Sequence, residues 1–189
     1  MKSGMLCLFI VLSLWSCNEY TPKPKGYQRV VRRQVEDVKF SGTEFSFLYP
    51  DDACMESLIS VAEPGYWFSL HYRHYNATLH FTYIPLLNRN LNEILDDSYR
   101  FAYSHVSMAQ GISQTQFSDS LHHTFGIIYD IHGSVASPVQ FYVTDNISNF
   151  LRGSLYFDQM VKADSVAQVV SFIRKDIVHI MESLEWENR

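Results

Sequence analysis

Residues 66–84 read Tyr66-Trp-Phe-Ser-Leu-His-Tyr-Arg-His-Tyr-Asn-Ala-Thr-Leu-His-Phe-Thr-Tyr-Ile84. In the second half, Leu79, Phe81 and Tyr83 alternate with Thr78, His80 and Thr82. A period of two sends the first set to one face of a half-buried strand and the second set to the other. The run from Tyr66 to Tyr72 is equally rich in strand-favouring aromatics, and Asn76-Ala77 supplies the turn between them. The stretch is a β-hairpin.

Working outward, Phe45-Ser-Phe-Leu-Tyr49 is a short aromatic strand stopped by the turn residues Pro50-Asp51-Asp52. Three more strands follow: Phe125-Gly-Ile-Ile-Tyr-Asp-Ile131, Val139-Gln-Phe-Tyr-Val-Thr-Asp145 and Phe150-Leu-Arg-Gly-Ser-Leu-Tyr-Phe157. Their connections carry Gly133, Pro138 and Asn146 to Asn149, and connections this short favour antiparallel neighbours in meander order. Two helices complete the pattern. Asn90 opens the first, with Glu93 three residues on and Leu91, Ile94, Leu95, Ala102 and Val106 at helical spacing. Asp164-Ser165 caps the second, whose apolar stripe is Val166, Val169, Val170, Ile173, Ile177, Ile180, Met181 and Leu184. The expected fold class is α+β, one domain, a mainly antiparallel β-sheet flanked by helices.

The 189 residues are 47% hydrophobic and carry a formal net charge of −5. That apolar share excludes a disordered chain, and the acidic balance argues against nucleic acid as a partner. Three cysteines are too few for a disulfide scaffold.

The N-terminus reads as an address. Met1 to Cys17 is MKSGMLCLFIVLSLWSC: one cation, an apolar run from Met5 to Leu14, then a small residue and a cysteine. A run of ten residues, all apolar but Ser13, cannot span a hydrocarbon core, which takes about 20, so residues 1–16 are expected to be a signal peptide. Leu14-Trp15-Ser16-Cys17 resembles the bacterial lipobox, in which the cysteine thiol takes a diacylglyceryl group; an ordinary signal with a chance cysteine is the alternative. Two or three acyl chains on Cys17 would anchor the protein stably.

Residues 17–40 are expected to form the anchor and a stiff tether, and 41–189 the globular domain. Asn18 to Gly26 is NEYTPKPKG, and Pro22 and Pro24 favour polyproline II. At about 3.1 Å per residue those nine residues hold a domain roughly 28 Å from the bilayer. Residues 18–40 hold six basic side chains against three acidic ones, while 41–189 hold eight against seventeen. A basic neck suits an anionic headgroup layer or a protein partner, and Tyr20, Pro22, Lys23, Pro24, Lys25, Tyr27 and Arg29 are its candidate contacts. A solvated linker is the plain alternative.

No catalytic constellation emerges. His71 and His74, and the adjacent pair His122-His123, are spaced to point apart, and H-E-x-x-H and paired C-x-x-C are absent. So are G-x-S-x-G, G-x-G-x-x-G and the P-loop. No catalytic residue, metal or cofactor is expected. Cys54 reads as a small core residue. Tyr66, Trp67, Phe68, Tyr72 and Tyr75 crowd ten positions and either fill a sheet core or wall a pocket near Trp67.

Several blocks together resemble the gliding-motility lipoprotein D (GldD) family of Bacteroidetes: Pro22-Lys-Pro-Lys-Gly-Tyr27, Phe45-Ser-Phe-Leu-Tyr49, Tyr103-Ser-His-Val106, Gln140-Phe-Tyr-Val-Thr-Asp145, Gly153-Ser-Leu-Tyr-Phe157 and Met181-Glu-Ser-Leu-Glu-Trp186. Family members often carry a cysteine before each of the first two core strands. Here those places hold Gly42-Thr43 and Gly65-Tyr66, so the disulfide that the resemblance would imply is missing. The strand and helix order also resembles PsbP-like domains, an analogy of fold alone. The family resemblance implies a non-enzymatic accessory or scaffold lipoprotein of the cell envelope. Its place is expected to be the outer membrane, facing the periplasm or the surface. Its implied partners are proteins of the motility machinery and the linked type IX secretion machinery. A small-ligand-binding module is the competing reading.

Overall fold

The computed structural model describes Gly26 and residues 29–58, 65–87, 89–104, 108–158 and 163–187. Within them the chain forms β1 (Asp37–Ser41), β2 (Phe45–Pro50), β3 (Cys54–Leu58), β4 (Tyr66–Tyr72), β5 (Ala77–Pro85) and α1 (Leu91–Tyr103). Then follow β6 (Gly111–Asp119), β7 (Thr124–His132), β8 (Val139–Thr144), β9 (Asn149–Phe157), α2 (Ala163–Glu182) and β10 (Glu185–Trp186). A large sheet has the order β3-β4-β5-β9-β8-β7-β6 and a small one the order β1-β2-β10. All their pairings are antiparallel. The α+β class, with helices flanking a mainly antiparallel sheet, is therefore the observed one.

The strand order corrects the single meander expected. β3-β4-β5 and β6-β7-β8-β9 are each meanders, but α1 carries the chain from β5 to the far edge, so β9 returns to pair with β5. The apolar stripe of α1 makes the crossing possible. Ala102 is buried with Tyr129, Ile131 and Val135, and Ile94 with Leu86 and Phe150. Four strands are additional to the sequence reading: β1, β3, β6 and β10 lie at sheet edges, where one-sided pairing demands little apolar periodicity.

The main core lies between the large sheet and a cover made by α2 and β2. From the sheet come Phe68, Leu70, Tyr72, Leu79, Phe81, Phe141, Leu151 and Leu155; from α2 come Val169, Ile173, Ile177, Ile180 and Met181. Phe45 and Phe47 of β2 close the layer, with Phe47 and Phe81 ring centroids 5.9 Å apart. Alternation sorts the aromatic run: Phe68 and Tyr72 are buried, while Trp67 between them is 56% exposed. Tyr66 packs against the same core, and its hydroxyl donates to Glu44 Oε2 at 3.0 Å. That bond and the stacked Phe45 and Tyr66 rings join the two places where the resemblance leads one to look for cysteines.

Other local expectations change. Asp164 and Ser165 sit in the first turn of α2 instead of ahead of it, where Asp164 still favours the positive end of the helix dipole. Val106 lies outside the described residues, and α1 ends at Tyr103. Cys54 is exposed on the edge strand β3, so it is not a core residue.

Gly153 has a packing reason. It pairs with Phe141 across β8 and β9, and the Phe141 ring occupies the space that a Cβ would take. Gly153→Val is expected to cost about 1–3 kcal/mol through forced repacking. The check is a lower urea midpoint with the slope unchanged.

Candidate functional site

The predicted lipid attachment residue, Cys17, and the predicted contacts Tyr20, Pro22, Lys23, Pro24, Lys25 and Tyr27 lie outside the described residues. Arg29 is described and exposed. Beyond it the chain behaves differently from a free tether. Val30 donates its backbone N–H to Gln168 Oε1 of α2 at 2.8 Å. Arg32 reaches inward: its Nε and Nη2 donate to Asp52 at 2.8 and 2.6 Å, and its Nη1 donates to Asp176 at 2.8 Å. Arg33 binds Asp51 at the surface, and Asp37 begins β1. The basic neck is thus clamped to the domain from about residue 30, where buried carboxylates on the β2–β3 turn and α2 take its charge.

The Arg32 cluster is electrostatically tight. Burial disfavours the Arg32 cation, but the bonds to Asp52 and Asp176 outweigh it and hold the guanidinium charged. Burial pushes the Asp176 carboxyl above its usual range against the opposing pull of Arg32. Tyr72 is buried beside it and its phenol is raised, first by burial and then by the Asp176 charge. Tyr72 Oη and Asp176 Oδ2 couple electrostatically without meeting good hydrogen-bond geometry.

The opposite face of the large sheet carries the second feature. Outward positions of β5, β8 and β9 bring Thr82, Gln140, Arg152 and Ser154 side by side, because Thr82 pairs with Arg152 and Gln140 with Ser154. α1 roofs one side with Phe101, whose ring lies 4.6 Å from the Arg152 guanidinium carbon. The result is a cavity of about 380 Å³. Trp67 is not among its lining residues, so this cavity, lined by Arg152, is not the pocket near Trp67 that stood as the alternative to core filling. Sequence reading missed Arg152 because it looked for paired acids, histidines and aromatics. The available signal was a lone arginine at an outward position in a strand otherwise flanked by apolar residues.

His80 stands at the rim, its Nδ1 2.9 Å from Ser69 Oγ. Partial burial, then the neighbouring His71, lower its pKa below 6.5. A depressed folded pKa contributes stability above the unfolded value and loses it as pH falls through the folded one. His80→Gln is therefore expected to flatten the fall in melting temperature below about pH 6.5, measured by a melting series across that range.

Glu56 Oε2 lies 2.9 Å from His71 Nε2, but among the described residues no group of three or more His, Cys, Asp or Glu could hold a metal ion. No described helix is long and apolar enough to cross a membrane.

The family model for the gliding motility lipoprotein GldD matches residues 17–186. The chain belongs to this family. GldD membership makes it a motility-associated lipoprotein and implies association with the cell envelope and with partners in the machinery. Among curated proteins there is no match. Among solved structures the chain is similar to "Solution Structure of Cyanobacterial PsbP (CyanoP) from Synechocystis sp. PCC 6803". The identity is 10%, the TM-score 0.49, and the coverage 86% of this chain and 98% of that one.

Proposed function

We propose that this GldD-family protein is a non-enzymatic accessory or scaffold component of the gliding machinery and the linked type IX secretion machinery. A lipid on Cys17 tethers it to the membrane, with residues 1–16 removed as a signal peptide. The observation that carries the reading is where the family match begins: at Cys17, the residue that the lipobox chemistry would make the first of the mature chain.

The clamp at Arg32 supports a mechanical role for the neck. Residues 18–29 would form the spacer, and the buried ion cluster would be the point where tension enters the domain. Lys23, Lys25 and Arg29 lie in the sequence between anchor and clamp, and would be the basic side chains nearest the membrane. A partner with an acidic face, or the headgroup layer, would meet them first.

Crosslinking and mass spectrometry in the native envelope test the scaffold role. The expected result is a reproducible set of crosslinks to motility or secretion proteins. Reversing Lys23, Lys25 and Arg29 together to glutamate should weaken those crosslinks while the melting temperature stays put, since Arg29 is exposed. Wild-type protein that crosslinks to no envelope protein would contradict the role.

A further inference from the structure

The cavity beneath α1 has a charge without a counter-charge. Arg32 and Arg174, the other partly buried arginines, each grip a carboxylate: Arg174 Nε donates to Asp130 at 2.6 Å. Arg152 is half-buried and makes no hydrogen bond or ion pair with the described residues. Phe101 covers it with an aromatic face, which attracts a cation but supplies no hydrogen-bond acceptor of carboxylate strength. Burial accordingly depresses the Arg152 pKa, with Asp97 a lesser opposing influence. Among the described residues no Asp or Glu lines the cavity.

Its second unpartnered group is Gln140. Only 6% of this residue is exposed, its amide makes no hydrogen bond with the described residues, and it lines the same cavity. Its amide is not sealed off, so it is open to whatever occupies the cavity, as donor and as acceptor. Around the two groups stand Ser154 and the phenols of Tyr129 and Tyr142. Burial raises both phenols, so they remain protonated and able to donate. The inventory is one cation, several neutral donors and aromatic walls in a volume suited to a small organic molecule.

We propose that this cavity is a binding site for a small organic oxyanion, with Arg152 as its counter-ion and Gln140 as a second donor. The anionic group is a carboxylate or a phosphate, and its flat apolar body lies against Phe101, Tyr129 and Tyr142. The site is independent of the anchor, so its failure would leave the Cys17 reading untouched.

The test uses the full chain in detergent with three probes: phenyl phosphate, benzoate and inorganic phosphate. Binding is followed by calorimetry, and the melting temperature of the unliganded protein is recorded in parallel. Phenyl phosphate or benzoate is expected to bind at millimolar or lower concentration, and which of them binds tighter distinguishes phosphate from carboxylate. Arg152→Met should weaken that probe by about tenfold or more, the cost of a charged hydrogen bond.

The same variant should raise the melting temperature without ligand, because it keeps the aliphatic stem and removes an unpaired cation. A merely structural arginine would lower it. Arg100→Met, on the exposed side of α1, should change neither reading. Equal probe binding by wild type and Arg152→Met, or no binding of either organic probe, would overturn the proposal. Should Arg152→Met not fold, Phe101→Ala decides, because Phe101 is 53% exposed. It should weaken phenyl phosphate and spare inorganic phosphate, and unchanged binding of phenyl phosphate would overturn the site.

Discussion

Arg32→Ala is expected to destabilise the domain by about 3–5 kcal/mol, the usual consequence of removing one partner from a buried ion cluster. The side chains of Arg32, Asp52 and Asp176 are 12%, 4% and 10% exposed, so solvent cannot replace the lost cation. Two carboxylates would be left facing each other beside the Tyr72 hydroxyl, which already lacks a partner of good geometry. The neck would also lose its buried contact, leaving the Val30–Gln168 bond and the surface Arg33–Asp51 pair to hold a segment that the cluster now fixes.

The pH dependence has a definite sign. Burial raises the Asp176 pKa and Arg32 holds it down, so the variant raises it further. A raised carboxyl pKa gives stability that is present below the unfolded value of about 4 and is lost as pH climbs through the folded value. The deficit should therefore be larger at pH 7 than near pH 4. Arg33→Ala is the comparison, since Arg33 lies on the surface and pairs with Asp51 there. It should change stability by less than about 0.5 kcal/mol. Urea unfolding of both variants at the two pH values reads all of this, and equal effects of the two arginines would contradict the clamp.

Phe68→Ala should cost a similar amount, about 3–5 kcal/mol, for a different reason. Phe68 is 1% exposed and stands where the two sheets meet. Its ring stacks on Phe81 at 4.5 Å and on Phe40 at 5.4 Å, and reaches Phe45, Phe47 and Tyr66 at 6.0 to 6.2 Å. Truncation opens a cavity that rigid rings from both sheets cannot collapse to fill. Trp67, one residue earlier, points the other way, and Trp67→Ala should be close to neutral. Comparable losses at both positions would contradict the alternation of buried and exposed side chains along β4.

That pair of neighbours also marks what a sequence can convey. The alternation of Leu79, Phe81 and Tyr83 against Thr78, His80 and Thr82 is imposed by burial of one face, and it delivered β4 and β5 nearly residue for residue. The same logic fails at β6, where Gly111–Asp119 is largely exposed and pairs on one side only. It fails for β3 and β10 too, which are short and lie at edges. The crossing by α1 was invisible because pairing partners at long range leave no local signal.

At the sites the contrast is sharper. Arg32 was counted only as part of a basic neck, because nothing local reveals that Asp52 and Asp176 converge on it from 20 and 144 residues away. Arg152 entered only as one residue of the strand Phe150–Phe157. Its character comes from the lack of a carboxylate bonded to it among the described residues, and that is a property of the assembled face.

The most direct measurement of the whole account is incorporation of a clickable fatty acid in the native cell, followed by fractionation. The wild-type protein is expected to carry the probe and sediment with membranes, whereas Cys17→Ala should be unlabelled and recovered in the soluble fraction. Wild-type protein without the probe, or Cys17→Ala still held at the membrane, would contradict it.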